Sequence, residues 1–266
     1  MKKIPLLLLV FALAIILTVF AGCSDPDVYG ARDSDPISIS TEDSDLVSEV
    51  EDSAPVPDLN LDDDRDYIAI LFVGNSFVFY GDVPGQLQTL AGTQDIEVRY
   101  IDISTGGATL RDSRDRAIQE MQGRIFDYVV LQDQSRRPLM DSRGFLDDVR
   151  IISDAARENG VIPVLFSPAV IDDEELQNSI TAVYKQAADE MNCILIDAGS
   201  AWIYAYQTIP GLSPYKGGNQ AFVAACVFMA ILFDLNITYI PQDNRYTDDS
   251  TMALAQAAWD FVHTLS

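Results

Sequence analysis

Gly74-Asn75-Ser76-Phe77 follows directly on an apolar run from Tyr67 to Val73. A serine on a tight turn at the end of a buried strand has an exposed hydroxyl and backbone N–H groups close by. Attack on an acyl carbon, and stabilisation of the oxyanion that forms, need those two things. The same tripeptide also reads as a helix N-cap, since Asn and Ser are favoured there. Two further segments widen the reading. Ser104-Thr105-Gly106-Gly107 offers backbone N–H groups that no side chain shields, and Gln132-Asp133-Gln134-Ser135 offers side-chain amides. Serine, glycine N–H and amide together are the parts of an oxyanion site, although both glutamines equally suit a satisfied polar turn.

The elements that would position these groups follow from apolar patterning. Tyr67 to Val73 (YIAILFV) reads as a strand buried on both faces, with Phe126 to Leu131 and Val161 to Phe166 of the same kind. Ile96 to Ile103 alternates, and Cys193 to Ile196 is a short fifth strand. Helices are expected over Val83 to Ala91, Leu110 to Met121, Asp141 to Glu158, Glu174 to Met191, Ala221 to Leu232 and Thr251 to Leu265. Strands alternating with helices of this length predict an α/β three-layer sandwich around a five-stranded parallel sheet. In such sheets a ligand sits at the carboxyl ends of the strands. The serine turn, Ser104 to Gly107, Gln132 to Ser135, Ser167-Pro168 and the loop from Ile209 to Gln220 all fall there.

Taken together, these blocks resemble the SGNH hydrolases, the GDSL-like esterase superfamily, in the branch with a Gly-Asn-Ser-Phe serine block. "ILFVGNSFVFYGDVPGQL" looks like that branch's opening and "FDYVVLQDQS" its third block, while "DAGSAW" and "AFVAACVFMAILF" look like its later segments. The resemblance implies an SGNH or flavodoxin-like sheet and carbohydrate-ester (deacetylase-type) chemistry. It implies Ser76 as nucleophile, Gly107 (or Gly106) as backbone donor and Gln134 as amide donor. Gln132 competes with Gln134 for that last role, because strand alternation does not choose between them.

One block departs from the pattern. The family places an Asp-x-x-His pair shortly before the apolar helix, where this chain has Leu212 and Tyr215. The chain's one histidine is His263, in the terminal helix beside the stripe Ala255, Trp259 and Val262. A serine hydroxyl at its free pKa is a poor nucleophile without an adjacent base. Asp133 and Asp82 are the carboxylates that could serve as weaker bases. Two readings therefore stand: an esterase, and a catalytically silent relative that binds a glycan or cell-envelope polymer in the same cleft. Trp202 and Tyr204 could stack on a sugar, or Trp202 could pack a helix under the site. Arg136 and Arg137 could meet an anionic ligand or lie in a solvated loop.

The rest of the chain sets the context. Met1-Lys2-Lys3, an apolar run from Ile4 and the sequence Ala21-Gly22-Cys23 form a secretory signal resembling a lipobox, with Cys23 as the acylated residue. An uncleaved apolar helix is the alternative anchor; both readings put the protein at the extracytoplasmic face of a cell membrane. Residues 24–66 carry fifteen Asp and Glu against two Arg, too polar to bury a core, and read as a disordered acidic linker before a domain over 67–266. That domain has 26 acidic and 13 basic residues, a balance that excludes nucleic acid as a partner. Cys193 and Cys226 fall in apolar segments and read as buried free thiols. No Cys/His cluster has metal-ligand spacing and no Gly-rich loop could cradle a phosphate, so no metal or cofactor is expected.

Overall fold

The computed structural model describes residues 65–170, 174–212, 217–237 and 249–265. The signal segment with Cys23, the linker up to residue 64 and Tyr215 lie outside the described residues. Five strands form the sheet: β1 (Ile68–Val73), β2 (Val98–Asp102), β3 (Tyr128–Leu131), β4 (Ile162–Ser167) and β5 (Ile194–Asp197). All are parallel, in the order β2-β1-β3-β4-β5, with Phe72 level with Asp102 on one side and with Val130 on the other. Nine helices connect or flank them among the described residues: α1 (Ser76–Phe79), α2 (Val83–Gly92), α3 (Leu110–Gly123), α4 (Arg137–Met140), α5 (Ser142–Glu158), α6 (Glu174–Met191), α7 (Ala198–Thr208), α8 (Gly217–Phe233) and α9 (Asp249–Leu265).

Period-two alternation divides each strand between two cores. From β1, Ile70 and Phe72 join Val130, Val164, Phe166 and Ile196 under α2, α7, α8 and α9. Ala69, Leu71 and Val73 join Val129, Leu131 and Leu165 under α3, α5 and α6. This two-sided burial is why the strands read as unbroken apolar runs. Helix α8 is apolar around its whole circumference because the sheet covers one side while α2, α7 and α9 cover the others.

The α/β sandwich and its five parallel strands are as the sequence predicts. The differences are local. Three helices, α1, α4 and α7, were not expected; the first two are single turns, too short for a periodic signal. Cys193 lies just ahead of β5 rather than within it and is half-buried, with its thiol 3.3 Å from Ser153 Oγ, whereas Cys226 is buried as expected.

The strand order decides where a site can form. From β1 the chain crosses outward to β2, then returns past β1 to β3, so a crevice opens between the carboxyl ends of β1 and β3. Beneath it Phe228 of α8 packs edge-on to Phe72 (6.0 Å between ring centroids) and against Phe166 (5.6 Å). Phe228→Ala is expected to cost about 3–5 kcal/mol of folding stability, measured by urea denaturation.

Candidate functional site

Ser76 opens the one-turn helix α1. Asn75 caps it, its Oδ1 accepting the Phe77 N–H at 3.3 Å, while the Val78 and Tyr80 N–H groups donate to the carbonyls of Asn75 (2.9 Å) and Ser76 (3.0 Å). The N-cap reading of this turn and its position at a strand end thus hold together. Gly74 is required there by close approach: a Cβ would stand 2.6 Å from Val78 Cγ2 and 2.8 Å from Gln132 Oε1.

Hydrogen bonds lace this turn to the ends of both neighbouring strands. The Thr105 N–H donates to Gly74 O at 3.1 Å, and Asn75 Nδ2 donates to Ala108 O at 3.0 Å, so both sides of the Gly106-Gly107 turn are held against the serine segment. Gly107 has φ +71°, a left-handed conformation that favours glycine. Neither Gly106 nor Gly107 gives its N–H to a backbone partner among the described residues. On the other side, the Asn75 N–H donates to Gln132 Oε1 at 3.0 Å.

That last bond separates the two glutamines. Gln132 is fully buried; its Oε1 holds Asn75 and its Nε2 donates to the Asp133 carbonyl, so both ends of the amide are committed. Gln134 is half-buried, and its Oε1 accepts the N–H groups of Arg136 (2.9 Å) and Arg137 (3.1 Å). Its Nε2 has only a 3.4 Å contact to Ser135 Oγ and keeps donor capacity to spare.

Asp133, weighed in the sequence as a weak base, is instead a buried fastening. Its Oδ1 accepts the N–H groups of Gln134 (2.6 Å) and Leu110 (3.2 Å), and its Oδ2 accepts Arg137 Nη1 at 2.6 Å. The Asp133 N–H in turn donates to Tyr184 Oη at 3.0 Å. Arg137 reaches on to Asp148 at 2.5 Å, which Arg111 and Arg114 also face from the surface. Burial pushes the Asp133 carboxyl up, against the pull of Arg137 and the two N–H groups. Burial works against the Arg137 guanidinium, but its bonds to Asp148 and Asp133 outweigh that and raise its pKa.

The solvated-loop reading is therefore corrected for Arg137, which is buried in this ion cluster, and holds for Arg136, which is exposed. The sequence signal that could have found the cluster was the spacing of Asp133 and Arg137, four apart across a turn. The remote members, Tyr184 and Asp148, left no such trace.

Asp82 caps α2, accepting the Gly85 N–H at 3.2 Å, from a left-handed backbone with φ 54°. Trp202 is 1% exposed and packs in the core, as its helix-packing reading has it; Tyr204 lies against Phe261 at 6.2 Å. His263 stacks on Trp259 (3.6 Å), hydrogen-bonds its carbonyl through Nδ1 (3.0 Å) and faces Asp234 just beyond α8 at 3.6 Å. It makes no hydrogen bond to the serine turn among the described residues. The hydroxyls of Ser104 and Ser167, beyond β2 and at the end of β4, are buried without a partner there.

No known family's sequence profile matches the chain, and no curated protein does. Solved structures do. A DUF4886 family protein from Bacteroides uniformis superposes with a TM-score of 0.61 at 17% identity, over 74% of this chain and 95% of that one. A protein assigned to the SGNH hydrolases from Slackia heliotrinireducens gives 0.50 at 22% identity, over 62% and 99%. A variant of an acetylxylan esterase from Geobacillus stearothermophilus gives 0.50 at 18%, over 62% and 94%. The fold, with its five parallel strands and their order, is thus the SGNH hydrolase fold. Acetylxylan esterases are among the proteins built on it.

The ion cluster makes a prediction. Arg137→Met leaves the buried Asp133 carboxylate without its counter-charge, while Asp148 keeps Arg111 and Arg114, and is expected to destabilise by about 3–5 kcal/mol at pH 7. An unpaired buried carboxyl has a folded pKa above its unfolded value, so its penalty falls as pH drops and grows as pH rises. The deficit against wild type, read from denaturation curves, should shrink between pH 7 and pH 4.

Proposed function

We propose that this chain acts on an ester of a carbohydrate at the Ser76 cleft, as an SGNH-type hydrolase of the deacetylase kind. The observation that carries the reading is the lacing of three strand ends. Hydrogen bonds donated by Asn75 and Thr105 and accepted by the Asp133 carboxylate hold the serine turn, the Gly106-Gly107 loop and the Gln134 turn along one edge of the sheet. In this reading Ser76 Oγ attacks the acyl carbon, and the Gly107 N–H and Gln134 Nε2 receive the oxyanion. Gln132 sets the geometry by holding Asn75. The acetylxylan esterase built on this fold supports the choice of substrate class.

A specific observation favours a second reading, a relative that binds the ester or a cell-envelope glycan without cleaving it. Ser76 needs a base, and the only histidine in the chain is engaged with Trp259 and Asp234. With Asp133 tied to Arg137, the remaining carboxylate candidate is Asp82, which caps α2. Loss of a triad histidine costs several orders of magnitude in rate, so slow turnover is expected. Hydrolysis of p-nitrophenyl acetate and acetylated sugars by the full-length protein should fall to background in Ser76→Ala and persist in His263→Ala. Glycan binding with no Ser76-dependent turnover would replace the esterase reading with the second.

We also propose that the protein is exported and held at the extracytoplasmic face of the membrane by lipid on Cys23, the acidic residues 24–66 acting as a spacer. Cys23→Ser should abolish incorporation of a fatty-acid label and release the protein from membranes. Wild-type protein retained in membranes without label would point to an uncleaved apolar helix.

A further inference from the structure

The geometry points to a sugar-binding platform formed by Phe79 and Tyr80, on the serine-bearing face of α1. This inference rests on the carbohydrate-ester reading and names the part of the substrate that the serine turn holds. Ser76, Phe79 and Tyr80 stand at i, i+3 and i+4, which places the three side chains on one side of a helical turn. Tyr80 keeps helical backbone angles (φ −62°, ψ −32°), and its N–H closes the turn on Ser76 O at 3.0 Å. Side chains on a helix lean toward its N-terminus, so both rings tilt back toward Ser76. A Cβ placed on Gly106 would lie 3.9 Å from Phe79 Cζ, which sets the Phe79 ring beside the donor loop.

The two rings are exposed where a folded chain gains nothing by exposing them. Phe79 is 36% and Tyr80 84% accessible, and their centroids are 4.9 Å apart at an angle of 52°. They form an open ledge next to the nucleophile. A ledge of this kind suits a ligand with one apolar face and one hydrated face. A pyranose ring is such a ligand, its C–H face meeting the electron-rich face of the aromatic ring. A long acyl chain needs a concave apolar slot that encloses most of its surface, and an open ring pair does not supply that. The acidic surplus of residues 67–266 further selects a neutral sugar over an anionic one. The platform is therefore for a neutral acylated saccharide, one ring of which lies on Tyr80 with its ester directed at Ser76.

Titration calorimetry of full-length protein with acetylated xylooligosaccharide tests this without requiring turnover, in a Ser76→Ala background that keeps the ester intact. Tyr80→Ala should weaken binding at least fivefold, and Tyr80→Phe, which keeps the ring face, should stay within twofold. In the Ser76 background, the ratio of kcat/KM for the acetylated sugar to that for p-nitrophenyl acetate should fall about tenfold in Tyr80→Ala. Sugar affinity unchanged in Tyr80→Ala would overturn the platform, as would equal losses in the Ala and Phe variants or a preference for an octanoyl ester over the sugar. The two proposals fail separately. Ser76-dependent hydrolysis with no Tyr80 effect on sugar binding removes the platform alone; Tyr80-dependent binding with no Ser76-dependent hydrolysis removes the esterase reading alone.

Discussion

The carboxylate of Asp133 is the point on which the site depends. It is fully buried at the end of β3, where an isolated charge would be costly, and it is tolerated because three donors converge on it. One donor, the Leu110 N–H, belongs to the first turn of α3 and fixes the helix that follows the Gly106-Gly107 loop. Another, the Gln134 N–H, fixes the turn that carries the Gln134 amide. The third, Arg137, is pinned in turn by Asp148 on α5. A single buried group thus sets the relative positions of two segments that arrive from different strands. A residue without those acceptor oxygens would leave each segment to its own local preferences.

Gln132 performs the corresponding service for the serine turn. Just beyond β3 the Gln132 side chain meets Asn75 while the Asp133 side chain meets Leu110 and Arg137, so adjacent residues brace different segments of the cleft. Both are interior polar residues whose bonds are satisfied, a condition under which buried polar networks specify one arrangement rather than loosen it. The result is a serine turn and two donor segments held as a unit, although the chain has no imidazole beside them among the described residues. In the proposed reading, positioning Ser76 and supplying its base are separate structural problems. The strand ends hold the serine turn; the base falls, in the resemblance, to a segment where this sequence has Leu212 and Tyr215.

Most of the fold was legible because burial on both faces of a parallel sheet writes continuous apolar runs, as in IAILFV and the strand ending at Leu131. Helices with several turns, α7 excepted, carried their own period, and their ends fell within a few residues of the expected positions. The single turns at Ser76–Phe79 and Arg137–Met140 had too few residues to show one. At the site, the strand-end blocks could be found from their place in the chain, but the division of labour between Gln132 and Gln134 could not. It depends on which amide meets Asn75, a contact between residues 57 apart in sequence. For the same reason Asp133 read as a possible base and Arg137 as loop, since their pairing with Asp148 and Tyr184 is a tertiary fact. The aromatic ledge was within reach of the sequence, through the i, i+3, i+4 spacing from Ser76, once α1 is recognised as a helix.

A crystal structure of Ser76→Ala protein with acetylated xylooligosaccharide tests the proposed oxyanion site. The acyl carbonyl oxygen is expected within about 2.7–3.1 Å of the Gly107 N–H nitrogen and Gln134 Nε2, with the ester carbon facing position 76. An ester bound elsewhere on the protein, or bound in the cleft with its carbonyl directed away from both donors, would contradict it.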